Sequence, residues 1–134
     1  MNETTSIFKQ MDNIILYLRN THISDLVDKE IFRNNLDGTS EGVLIYRTGN
    51  SNENQRITET TCAVSIYKDK LQDCEQLAED FYSFFKNFNQ TKYNKTELLT
   101  FWPLSAPTPA FKEGDKWVSV FDINLKFTGE NNEL

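Results

Sequence analysis

Asp69–Asn89, DKLQDCEQLAEDFYSFFKNFN, is the stretch on which the reading of the fold turns. Leu71, Cys74, Ala78, Phe81, Phe85 and Phe88 recur at alternating steps of three and four, which places them along one face of a 3.6-residue helix. The spacing predicts a helix over 69–89 with that face buried. Asp69 is the expected N-cap, and Gln72 stands three residues on, where its side chain can return to the cap as in a capping box. Full burial of each phenylalanine would contribute roughly 1.5–3 kcal/mol, so the helix requires a sheet or a second helix beneath it.

The segments on either side supply that partner. Downstream, Trp117, Phe121, Ile123, Leu125 and Phe127 alternate with Asp122, Asn124, Lys126 and Thr128, the pattern of a strand with one core face and one wet face. Upstream, Cys62, Val64 and Ile66 alternate with Thr61 and Ser65 in a strand from Ile57 to Tyr67. Val43–Arg47 is a shorter β-rich run closing on Thr48-Gly49, and Glu97–Trp102 reads as another strand. The prolines at 103, 107 and 109 exclude a regular ladder through their segment and predict a shaped loop. Ile7, Met11, Ile14, Ile15 and Leu18 form the apolar stripe of a first helix over about 6–20. Between Thr21 and Leu36 the pattern is weaker: Ser24 can cap a short helix through Lys29, and Ile31-Phe32 can begin an extended segment. The expected fold is a single α+β domain over 1–134, a mainly antiparallel sheet with helices packed on one face, in the order α, unassigned segment, β, β, α, β, β. The polar tail 129–134 is expected to fray.

Gly49, Asn50, Ser51, Asn52, Glu53, Asn54, Gln55 and Arg56 contain no apolar side chain and are expected to form an exposed loop. The net charge of −6 and the isoelectric point near 4.8 argue against a groove that holds nucleic acid by counterion release. No apolar run reaches the ~20 residues that a membrane helix needs, and the N-terminus lacks a signal-peptide pattern, so synthesis in a cytoplasm is expected. Cys62 and Cys74 fall on inward faces and are expected as buried free thiols, although two inward cysteines can in principle meet in a disulfide.

Chemistry-bearing motifs are scarce. His22 is the sole histidine, which excludes a multi-histidine metal site, and none of the five glycines lies in a phosphate-loop pattern. Asp73, Glu75, Glu79 and Asp80 fall largely off the apolar stripe and read as a solvated face. No catalytic residue, cofactor site or metal site is assigned, and the chain is expected not to be an enzyme. There remains a set of aromatics at awkward positions. Tyr82 and Phe84 lie off the main stripe, and Trp102 and Phe111 flank the proline-rich loop, so these four are candidate interface residues.

The order of features resembles the small phage proteins known as minor capsid or tail terminator proteins of long-tailed siphophages. The resemblance runs over roughly residues 7–128. It rests on Ile31-Phe32 with Leu36, on Val43-Leu44-Ile45-Tyr46-Arg47-Thr48-Gly49-Asn50, on the long strand leading into the aromatic helix, on Ala106-Pro107-Thr108-Pro109, and on the final strand from Trp117 to Leu125. Two positions depart from the family pattern: Asn50 stands where a second glycine is common, and Tyr67-Lys68 where an arginine often closes the strand. The resemblance implies a homo-oligomeric ring, usually a hexamer, on the head-proximal end of a non-contractile tail tube. There it stops growth of the tail tube protein and docks to the head-tail connector or stopper proteins of the virion neck. DNA would pass through the lumen without specific binding, and by analogy residues 49–56 would project into it. The alternative reading is a small α+β module that binds a peptide or other ligand along an open sheet edge.

Overall fold

Two long antiparallel strands form the axis of the molecule. The computed structural model describes residues 7–27, 31–32, 41–48, 52–54, 57–88, 91–93 and 96–129. In chain order the elements are α1 (Ile7–Arg19), a 3-10 turn (His22–Val27), β1 (Ile31–Phe32), β2 (Gly42–Arg47), β3 (Asn52–Asn54), β4 (Ile57–Lys68), α2 (Leu71–Lys86), β5 (Thr91–Tyr93), β6 (Thr96–Pro103), β7 (Phe111–Glu113) and β8 (Lys116–Gly129). β4 and β8 pair from Ile57↔Thr128 to Lys68↔Trp117, and the sheet runs β1-β2-β4-β8-β6-β5. β3 adds to β4 beyond the end of β2, and β7 adds to β8 beyond the end of β6. Every pairing is antiparallel except that of β1 with β2. The α+β class and the mainly antiparallel sheet with helices are thus as the sequence predicts.

Both helices bury their stripes against one sheet face. Met11, Ile14, Ile15 and Leu18 of α1 and Cys74, Leu77, Ala78, Phe81 and Phe85 of α2 join Cys62, Val64, Ile66, Phe101, Phe121, Ile123, Leu125 and Phe127 in one continuous core. Phe85 lies at its centre, 4.8 Å from Phe101 and 6.1 Å from Phe121 between ring centroids. Both cysteines are free and buried in this core. Burial pushes the Cys62 thiol up to about 12 against the opposing field of Arg47, and desolvation raises Cys74 to about 11. A raised thiol pKa leaves little thiolate, the reactive form. Native protein at pH 8 is therefore expected to resist iodoacetamide, with mass spectrometry showing two adducts only after unfolding in urea; rapid labelling of native protein would contradict the buried placement.

The start of α2 departs from expectation. Asp69 is not the cap and there is no capping box: the helix begins at Leu71, Lys70 is the N-cap in extended conformation, and no side chain caps it. The reason is tertiary. The Asp69 carboxylate is taken by Lys116 Nζ at 2.6 Å, and its backbone N–H donates to Glu41 Oε2 at 2.8 Å. Leu71, expected in the stripe, is exposed, and Leu77 is buried in its stead. At the far end the helix stops at Lys86 and not at 89; Asn87 donates from both its backbone N–H and its Nδ2 to the Ser83 carbonyl. Phe88 still packs on Phe101, 4.7 Å between centroids, from the turn beyond the helix.

The Lys116 hydrogen bond holds Asp69 below the usual carboxylate range. A depressed folded-state pKa contributes stability that is present above the unfolded value near 3.9 and is lost as pH falls through the folded value. Asp69→Asn is accordingly expected to lower stability at pH 7, with the gap to the parent closing below about pH 4. Urea melts at both pH values check this, and a gap that does not depend on pH would contradict it.

Two further expectations are corrected, and a third holds in part. Ser24 is not a helix cap: it is buried within the 3-10 turn His22–Val27, its hydroxyl bonded to the Arg19 and Thr21 carbonyls, and Lys29, the expected end of the short helix, lies outside the described residues. Residues 49–56 are not wholly loop, because Asn52–Asn54 is a strand paired with Ile57–Glu59; backbone groups at the free edge of β4 find partners whatever the side chains are. Gly49, Asn50, Ser51, Gln55 and Arg56 lie outside the described residues, as does the tail beyond Gly129. The proline-rich segment is a shaped loop only beyond Pro103, which itself pairs with Ile123 at the end of β6, and it still tracks β8. Leu104 and Thr108 donate their N–H groups to the Asp122 and Val120 carbonyls, while Ser105 Oγ and Thr108 Oγ1 accept from the N–H groups of Asp122 and Val120. Hydroxyl oxygens thus accept from β8 where a regular neighbouring strand would offer carbonyls.

Candidate interaction surfaces

The sheet has a second face, opposite the helices, and its composition is set by register. Residues paired across strands share a face. The partners Tyr46↔Ala63, Leu44↔Ser65, Phe111↔Val118 and Trp102↔Asn124 therefore stand on the side away from Phe121 and Ile123. Here Trp102 is 57% exposed, Phe111 45% and Tyr46 37%, with Leu104 in the adjoining loop 54% exposed. Between the strands carrying them, Ala63, Ser65 and Val118 are buried. This is a band of aromatic and aliphatic side chains on a sheet face that neither helix covers. Its polar margin includes Asn124, whose Nδ2 donates to Glu59 Oε2 at 2.9 Å, and Lys126.

A different surface lies in the helix layer. The C-terminal half of α2, the end of α1 and the 3-10 turn enclose a cleft of about 950 Å³ lined by Tyr17, Asn20, Thr21, His22, Ile23, Leu26, Asp80, Ser83, Phe84, Asn87 and Phe88. Its aromatic walls are held by edge-on contacts, His22 on Phe84 at 5.7 Å and Tyr17 on Phe88 at 6.1 Å. Leu26 is half exposed at its mouth. A smaller cleft of about 640 Å³ separates the first half of α2 from Pro107–Pro109, and is bridged where Ala110 donates its N–H to Glu75 Oε2 at 3.0 Å.

The four candidate interface aromatics therefore separate. Trp102 and Phe111 share the open sheet face. Phe84 is half-buried in the wall of the helix-layer cleft, and Tyr82 is half-buried on the helix side, edge-on to Phe121 at 5.7 Å with Lys86 over its ring. Tyr82 is thus largely committed to packing. Tyr46 and Leu26 were missed by the sequence reading. Tyr46 is legible in retrospect, as the outward residue between Ile45 and Arg47 in an alternating strand. His22 stands at the cleft with its ring edge-on to Phe84. Among the described residues no three His, Cys, Asp or Glu side chains converge as a metal site, and no helix is long and apolar enough to cross a membrane.

No protein-family model matches the chain, and no curated protein matches it.

Proposed function

We propose that this chain is a structural assembly protein of a siphophage-like particle, a tail terminator that closes into a ring on the tail tube and joins tail to head. The observation that carries the reading is the pair of unlike surfaces on opposite sides of one subunit: the aromatic band of Trp102, Phe111 and Tyr46 on the open sheet face, and the cleft of mixed aromatic and polar lining beside Phe84 and Phe88 in the helix layer. A ring closes by rotation only if each subunit offers two different, complementary surfaces to its neighbours. Exposed aromatics of this kind mark association sites. The acidic chain suits a channel that DNA traverses without sticking. On this reading the protein has no catalytic role. The edge-binding alternative would use the outer edges of β2 and β6, which β1 and β5 cover only over residues 43–44 and 96–98.

Tube polymerisation with and without the purified chain tests the proposal. Electron microscopy is expected to find tubes capped at one end and arrested in length when the chain is present. Uncapped tubes that grow equally in both samples would refute it.

A further inference from the structure

Resting on that ring reading, we propose that the subunit contact is heterologous, Trp102 of one copy seating in the α1–α2 cleft of the next while the rest of its open sheet face packs around the mouth. The two surfaces lie on opposite faces of the sheet, so one chain cannot bring its own together. A second copy can, and each member of a closed ring then gives one contact and receives one.

Size, chemistry and charge agree with a second copy as the occupant. The cleft is an open groove of about 950 Å³, with room for an indole and a neighbouring side chain. Its walls are aromatic, and its polar lining includes the Asp80 carboxylate. Trp102 brings the complementary group: an indole N–H, which only donates and needs an acceptor when buried. Lys126 lies on the same face as Trp102, paired with Thr100 in the adjacent register, and offers a cation to Asp80. The exposed parts of Trp102, Phe111, Tyr46 and Leu104 amount to roughly 400 Å² of side chain, given 150–250 Å² for a whole aromatic. That is about half of the ~800 Å² per partner in a standard interface and leaves the remainder to a polar rim.

Leu26 at the cleft mouth and Leu104 beside Trp102 are both exposed, and the native cysteines are buried, so introduced cysteines report the contact cleanly. Tails isolated from particles encoding Leu26→Cys, Leu104→Cys or both are oxidised and run on a denaturing gel. The double variant is expected to give a ladder of cross-linked subunits at least tenfold stronger than either single variant. Dimers from Leu104→Cys alone would mean that the band meets itself, overturning the inference. Capped tails whose double variant stays monomeric on the gel would place the contact elsewhere and leave the ring reading standing. If the double variant does not assemble, Ser83→Cys with Ala106→Cys replaces it, read in the same way. The unmodified chain absent from tail ends would remove the ring reading, and this inference with it.

Discussion

Phe85→Ala is expected to destabilise the protein by about 3–5 kcal/mol. Phe85 is fully buried, and its ring touches those of Phe81, Phe84, Phe101 and Phe121. Its removal leaves a cavity where α2 meets β6 and β8, and surrounding rings fixed to three separate elements cannot collapse to fill it. Domains of this size hold only about 5–15 kcal/mol in total, so the loss takes a large share of the stability. Leu71→Ala, on the same helix but exposed, is expected to cost under about 1 kcal/mol. Urea denaturation of the two variants beside the parent checks the pair. Equal costs would mean that α2 does not present the stripe centred on Phe85 to the sheet.

Trp102→Ala is expected to leave the fold intact and to abolish joining. Trp102 contributes little to the core, being more than half exposed, so its melting temperature should stay within a few degrees of the parent. As the aromatic centre of an interface it falls in the class whose truncation costs about 2 kcal/mol or more, about a thirtyfold weakening per contact. A ring repeats that contact at every subunit boundary, so the yield of joined particles should fall by well over thirtyfold. A variant that joins normally would remove Trp102 from the interface. One that melts as early as Phe85→Ala would make the residue structural.

The long elements were legible because each carries enough periods of its pattern to identify its face. α1, α2, β4, β6 and β8 all fall within a few residues of where stripe or alternation places them. The features that sequence could not give were set by distant partners. Asp69 has the composition of a cap, but a lysine forty-seven positions on competes for its carboxylate. Leu71 fits the helical period yet stands before the point where α2 settles on the sheet, while Leu77, off the counted stripe, is buried because α2 packs on the 3-10 turn as well as on the sheet and is covered over a wider arc. β3, β5 and β7, at three residues each, are too short for alternation to register, and they exist because β4, β6 and β8 offer free backbone groups. For the candidate surfaces, the awkward aromatics Trp102 and Phe111 announced themselves, while the company they keep did not: only register places Tyr46 on the same face, and only the packing of the 3-10 turn on α2 makes a cleft.

The most direct test of the assembly role is electron microscopy of particles made when the encoding genome carries a stop codon at Tyr17. DNA-filled heads beside separate tails of irregular or excessive length are the predicted result. Joined particles with tails of normal length would contradict the terminator role.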